Sequence, residues 1–301
     1  MRLFLDMLAH KRPSGSESVQ VFCDKYLRPV FGEPDDHGNY SLSIGDAPRV
    51  IFTAHHDTVH AKGGRQNLLI SGDTVTSDAD CLGADCTTGV FIILEMIAAQ
   101  VPGLYVIHAD EEIGLVGSKA FVEDDWGYLA QFDACISFDR FGTESIVTHQ
   151  MGARTCSDEF AASLESILGL GLSPDQTGSY TDSKAYQYCV AECTNISVGY
   201  YNQHSSKESQ DMLYLRRLVR ALIAADWDSV VVKRNKEAVE YLDKPNYYWD
   251  NPAHIKTDSN MVAIVEEYPE LIAELLEQFG YDSHALLDEL NIDPAATWRF
   301  N

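Results

Sequence analysis

Over about the first 230 residues, short continuous apolar runs alternate with stretches in which apolar positions recur every three or four residues. RVIFTAH (49–55), LYVIHAD (104–110), ACISFDR (134–140) and TNISVGYYN (194–202) have strand length and are rich in β-branched and aromatic residues. Such runs predict strands buried on both faces of a sheet. Between them, residues 87–100, 115–125, 158–169 and 209–227 carry helical periodicity, the first ended by Pro102 and Gly103. DTVTSD (73–78) alternates like a short edge strand of a hairpin, and residues 169–183 form a Gly/Ser/Pro-rich loop. The opening stretch MRLFLDMLAHKRPSGSE carries Asp6 within its apolar face and reads as an amphipathic helix rather than a leader peptide. This rhythm predicts an α/β fold: a three-layer αβα arrangement around a central, mostly parallel mixed sheet.

Beyond residue 232 the texture changes. A charged segment with two prolines leads to an aromatic cluster, Tyr247, Tyr248 and Trp249, and then to two or three short helical patterns. Gly280 fits a helix C-cap there, and Asp282 or Ser283 an N-cap. The expected organisation is a catalytic domain over 1–232 and a helical C-terminal extension over 233–301. That extension either packs on the domain or serves a homo-oligomer or partner contact, for which an aromatic cluster is suited.

Composition narrows the partners. The net charge is −24. A polyanion repels nucleic acid and anionic membranes, so neither is expected as a partner. The longest apolar run, Val90 to Ala99, is broken by Glu95 and is too short to span a bilayer. Seven cysteines, an odd number without a CxxC pair, argue against a disulfide framework or zinc ribbon. Free thiols in a reducing, cytoplasmic compartment are expected.

The chemistry gathers where strands end. The first strand ends in His55-His56-Asp57, the second in Asp110-Glu111-Glu112, the third in Asp139, and the fourth in Asn202-Gln203-His204-Ser205. Asp85 precedes the long helix. In open α/β sheets ligands bind at the carboxyl ends of the strands, so five segments deliver histidines and carboxylates to one rim. Strand alternation puts His55 and Asp57 on one face, where a carboxylate behind an imidazole fixes its tautomer as a metal ligand. His56 points away and is given no role. Asp85, Glu112 and Asp139 carry three negative charges beside neutral His55 and His204; with one bridging hydroxide they balance two divalent cations. Carboxylates mixed with imidazoles and no thiolate suit zinc, with manganese or cobalt as alternatives. Glu112 is then expected as a ligand. Glu111 is expected as the general base that takes a proton from water and passes it to the leaving amine.

Other polar residues are secondary. His108 is expected as a core histidine that could back the site. Arg140, His149, Gln150 and the GSYTDS stretch with Asp182 lie in loops that could reach the rim and bind substrate. His10, His37, His60, His254 and His284 have no partner pattern and are expected at the surface. There is no GxSxG and no Cys paired with a His in a nucleophile pattern.

TAHHDTV (53–59), LGADCTTGV (82–90), DEEIGLVGS (110–118), SFDRFG (137–142) and YNQHSSKE (201–208) together resemble the co-catalytic dizinc exopeptidases. That clan includes aminopeptidases, tripeptidases, carboxypeptidases and deacylases. KRPSGSE (11–17) and DDHGNYSLSIG (35–45) extend the resemblance over about residues 1–230. It implies that His55 and Asp139 hold one zinc, Glu112 and His204 the other, and that Asp85 bridges both before a cis peptide to Cys86. It implies that Asp57 orients His55 and that Glu111 is catalytic. An Asp at 139 goes with aminopeptidases and di- or tripeptidases in that clan, a Glu with carboxypeptidases and deacylases. Residues 140–203 leave no room for the lid domain many members insert, so a single-domain, lidless form acting on a peptide or small amide is expected. An N-acyl amino acid amidohydrolase with the same site is the alternative, and a non-catalytic metal-binding adaptor on a peptidase fold is a further one.

Overall fold

The computed structural model describes residues 1–238 and Glu240, and its first compact unit runs from Met1 to Glu240. Helix α1 (Arg2–Leu8) buries Phe4, Met7 and Leu8, one face of two turns. Helix α2 (Glu17–Phe22) is capped by the Ser16 hydroxyl and runs on through a π-turn at Cys23–Leu27. Then come β1 (Tyr40–Ile44), β2 (Val50–His55), the hairpin β3 (Leu68–Ser71) and β4 (Thr74–Ser77), and α3 (Ala84–Ala98). These are followed by β5 (Gly103–His108), α4 (Val116–Leu129), β6 (Ala134–Arg140), β7 (Ser145–Val147), α5 (Asp158–Leu168) and β8 (Ser173–Asp175). The unit closes with α6 (Asp182–Ala185), β9 (Glu192–Ser197), β10 (Tyr200–Tyr201), β11 (Ser209–Asp211) and α7 (Met212–Ala224).

The main sheet has seven strands in the order β8-β7-β9-β6-β2-β5-β1. Its central four, β9, β6, β2 and β5, are mutually parallel. The edge strand β1 runs antiparallel to β5, and β7 antiparallel to β9. All six residues of β2, β5 and β9 are buried, because helices cover both faces. On one face Phe52 stacks on Phe138 and Tyr105 and meets the edge of Trp227, beneath residues of α1, α3 and α7. On the other, Ile51, Val106 and Cys135 pack against Phe121 of α4 and Tyr186. This is the expected αβα layering.

A second, four-stranded sheet, β10-β11-β4-β3, lies beside the first. The 73–78 run provides an inner strand of this sheet, β4, paired with both β3 and β11, rather than an edge strand. The run expected as one strand over 194–202 is broken in two. Gly199, at φ +93, turns the chain, so that β10 leaves the main sheet and pairs with β11. Helix α7 begins at Met212, later than its periodicity implies, since residues 209–211 are β11. The Asp211 carboxylate then caps the helix, accepting from the backbone N–H groups of Leu213 and Tyr214.

Further details differ from or sharpen the expectations. His10 and His60 are buried rather than at the surface. His10 lies between Tyr26 and Arg65, and His60 between Thr58, Gln66 and Cys81. His37 is exposed and pairs with Asp124. The loop 169–183 contributes β8, which pairs parallel with β7. All seven cysteines are free and buried. Past α7 the chain stays attached to the unit: the buried Glu192 carboxylate accepts from the N–H groups of Ser157, Lys233 and Arg234. The expected extension helices, the Tyr247–Trp249 cluster, His254, Gly280, Asp282, Ser283 and His284 lie outside the described residues.

Helix α3 reaches the sheet through Gly89. A Cβ there would lie 2.4 Å from the Phe138 carbonyl oxygen and 2.9 Å from the Ala54 Cβ. In an open helix position, Gly→Ala stabilises by about 1 kcal/mol. Here Gly89→Ala is expected to destabilise by about 2 kcal/mol through overpacking, read from urea unfolding; a gain in stability would contradict this packing.

Candidate metal centre

The carboxyl ends of β2, β5 and β6 open onto one rim, where His55, Asp85, Glu111, Glu112, Asp139 and His204 converge. The Asp85 carboxylate lies between two imidazoles: Oδ1 is 3.1 Å from His55 Nε2 and Oδ2 is 3.1 Å from His204 Nε2. On the His204 side, Glu112 Oε2 is 3.2 Å from Nε2. On the His55 side, Asp139 Oδ1 is 3.6 Å and Glu111 Oε2 3.8 Å from Nε2. Potential ligand atoms of Asp85, Glu112 and His204 lie within 4.8 Å of one another, as do those of His55, Cys86 and Asp139, and of His55, Glu111 and Glu112. Glu112 Oε1 is buried without a hydrogen-bond partner. A buried, unpartnered carboxylate oxygen among imidazole nitrogens and further carboxylates is a donor set that suits a divalent cation.

Each side chain is held from behind. Asp57, fully buried, accepts from His55 Nδ1 at 3.2 Å, so that Nε2 faces the cluster. Its two oxygens also accept from the backbone N–H groups of Glu111 and Glu112, both at 3.1 Å. One carboxylate thus fixes the first histidine and both glutamates. Asp139 Oδ2 accepts from Thr181 Oγ1, and Oδ1 from the Tyr200 hydroxyl. The peptide between Asp85 and Cys86 is cis, and the Cys86 thiol donates to the Phe138 carbonyl.

Two features differ from the sequence reading. His204 is not at the end of a main-sheet strand; it lies on the hairpin between β10 and β11, which brings it over the Asp85 loop. Glu208, on the same hairpin, went unrecognised. It is buried, and its carboxylate accepts from the backbone N–H groups of Leu82, Gly83 and Asp85. Its place four residues after His204 is the only local signal, and its partners are more than 120 residues away.

The electrostatics follow from crowding. Burial opposes a charged His55, but the Glu111 charge and contacts to Asp139 and Asp57 hold its pKa well above the ordinary value. Hydrogen bonds to Asp85 and Glu112 raise His204 to about 11. Burial also opposes an ionised Asp85, yet the His204 and His55 hydrogen bonds hold it below the carboxylate range. Burial, reinforced by the Asp85 charge, raises Glu112 to about 7 and Asp139 to about 6. Burial raises Glu111 well above the carboxylate range; His55 opposes this, and the acidic neighbours Asp139, Asp182 and Glu112 add to it.

The secondary candidates are mostly structural. His108 is a core residue, bonded to Asn39 Oδ1 and the Tyr186 hydroxyl, and burial lowers it to about 3. His56 packs against Tyr40 with Nε2 near the Gly38 carbonyl. Arg140 bonds Asp175 and Thr177, and Gln150 bonds Thr155 and Ser183. His149 meets Thr148. Asp182 is buried, with Oδ1 unpartnered. A further cluster, His60, Asp80 and Cys81, has ligand-like spacing. Both His60 nitrogens are already engaged, by Thr58 and by Gln66 and the Cys81 carbonyl. A cleft of about 450 Å³ lies at the opposite, amino end of the strands, lined by Asp46, Arg49, Gln100 and Trp227 among others; it contains no histidine or cysteine.

Residues 39–183 match the family model described as Peptidase family M28. No curated protein matches the chain. The fold is similar to that of a tripeptidase from Staphylococcus aureus, at 14% identity and TM-score 0.60, over 74% of this chain and 95% of that one. It is similar to aminopeptidase PepT from Bacillus cereus, at 15% identity and TM-score 0.55, over 75% of this chain and 97% of that one. It is also similar to the TET1 peptidase of Pyrococcus horikoshii, at 16% identity and TM-score 0.55, over 75% and 99%. That protein can assemble into a tetrahedron or a large octahedral shell. No helix among the described residues is long and apolar enough to cross a membrane.

Glu208→Ala removes the acceptor of three N–H groups that fix the Asp85 loop. It is expected to cost roughly 3 kcal/mol in urea unfolding of the metal-free protein; a cost below about 1 kcal/mol would contradict this role.

Proposed function

We propose that this chain, whose residues 39–183 match the peptidase family M28 model, is a co-catalytic metallo-exopeptidase: a dinuclear zinc enzyme releasing an N-terminal residue from a peptide, as an aminopeptidase or a di- or tripeptidase. The observation that carries this reading is the Asp85 carboxylate, with one oxygen 3.1 Å from each of two imidazoles that stand on opposite sides of it. In this reading His55 and Asp139 hold one ion, Glu112 and His204 the other, and Asp85 both. Manganese or cobalt would suit the same donors. Bound there, the ions supply a Lewis acid for the substrate carbonyl and lower the pKa of the attacking water.

The rest of the chemistry belongs to side chains. Glu111 has no ligand role here. Its carboxylate stands on the His55 side of the cluster, 3.8 Å from Nε2. It takes the proton of the attacking water and returns it to the leaving amine, base and then acid. Burial raises its proton affinity towards the range this exchange needs. Asp57 serves Glu111 as well as His55, because it holds the Glu111 backbone N–H at 3.1 Å. Asp139, rather than Glu, at that position favours release of an N-terminal residue, as its clan resemblance implies. Between Asp139 and His204 the chain forms β7, α5, β8, α6, β9 and β10, with no lid domain inserted in that stretch.

Glu111→Gln keeps the size of the side chain and removes its base. It is expected to lower turnover of free-amine peptide substrates about 10³-fold, while metal content by elemental analysis stays near two ions per chain, as proposed for the wild type. Wild-type rates in this variant would contradict the role of Glu111. Faster cleavage of N-acylated than of free-amine substrates by the wild type would contradict the aminopeptidase reading.

A further inference from the structure

The KRPSGSE segment is not used by the proposed reaction, yet it lies directly behind the site. Arg12 is fully buried. Its Nε donates to the His56 carbonyl at 2.7 Å, its NH2 to Thr87 Oγ1 at 2.8 Å, and its NH1 to the His10 carbonyl at 3.2 Å. Its backbone N–H donates to Thr58 Oγ1, and its carbonyl accepts from the Thr58 N–H. The guanidinium lies 4.0 Å over the Phe22 ring. Two residues on, the Ser14 hydroxyl donates to Asp110 Oδ1. No carboxylate among the described residues forms an ion pair with Arg12. Burial lowers its pKa to about 10, which leaves it a cation at neutral pH.

A fully buried, unpaired guanidinium is costly, and a hydrophobic side chain would fill a core position without that cost. What distinguishes this arginine is the identity of its acceptors. His56 lies between His55 and Asp57. Thr87 is two residues after Asp85. Asp110 immediately precedes Glu111 and Glu112. The planar fork spans the end of β2 and the start of α3 at once, which a lysine ammonium cannot do with the same geometry. Arg12 and Ser14 also lie outside residues 39–183, the part matched by the family model.

We propose that Arg12 is a positioning residue for the metal centre: by joining the His56 carbonyl to Thr87, it sets the separation of His55 from Asp85 and so the spacing of the two ion positions. Ser14 extends the brace to the loop of Glu111 and Glu112. This inference rests on the dinuclear reading above, since a brace of this kind matters only if both sides of Asp85 bind an ion.

The test uses the full-length chain, stripped of metal by chelator and titrated with zinc against a competing indicator. Arg12→Lys keeps the charge and loses the fork; Thr87→Val keeps Arg12 and removes its far acceptor. Each is expected to weaken zinc binding at one or both positions about 10- to 100-fold. With a free-amine peptide substrate, kcat should fall and KM should stay within about twofold. A lower melting temperature of the metal-free protein, with zinc affinity and kcat unchanged in both variants, would make Arg12 a core residue only and overturn the proposal. So would failure of both variants to fold. If the wild type takes up no zinc, the dinuclear reading fails first, and this inference falls with it.

Discussion

Crowded negative charge is the constraint on which the rest of this structure depends. Asp57, Asp85, Glu111, Glu112, Asp139 and Asp182 converge on one end of a sheet, each mostly buried, with only two imidazoles among them. Carboxylates at such distances cannot all ionise without compensation. The chain supplies part of it through hydrogen bonds. Asp57 takes two backbone N–H groups and His55, and Asp139 takes Thr181 and Tyr200. Asp85 takes both histidines. What remains uncompensated includes Glu112 Oε1, which is buried without a hydrogen-bond partner. In the proposed function two divalent cations supply the missing compensation, and the reactivity of Glu111 follows from standing beside them without being a ligand.

The architecture serves this constraint at some distance. The four parallel strands place β2, β5 and β6 side by side, with His55 opposite His108 in register. Helix α3 approaches them closely enough through Gly89 that Asp85, at its start, reaches over the end of β2. The small sheet then folds back over the Asp85 loop. Its hairpin provides His204 as a partner of the Asp85 carboxylate and Glu208 as an anchor for the backbone that carries Asp85. Separate layers therefore fix a single carboxylate from above, below and behind.

Much of this is legible in the linear sequence because it is local. The core strands appear as apolar runs ending in polar clusters. Asp57 is recognisable two residues from His55, and Glu111 and Glu112 by their adjacency. The parts that escape it depend on contacts between distant residues. The break at Gly199, which moves His204 onto a hairpin, interrupts a run that reads as one strand. Glu208 shows no role in the linear sequence, because the backbone N–H groups of Leu82, Gly83 and Asp85 reach it only in the fold. Nothing local singles out Arg12 within the opening amphipathic stretch, because its acceptors lie 44 and 75 residues away. His10 and His60 read as surface residues for the same reason. The three-residue strands β7 and β8 are too short to show an alternation of their own.

The most direct measurement is anomalous diffraction at the zinc edge from crystals of the full chain grown with zinc. Two peaks about 3.5–4 Å apart, one on each side of Asp85, would be the outcome of a dinuclear site bridged by that carboxylate. A single peak, or peaks elsewhere on the molecule with none flanking Asp85, would contradict it.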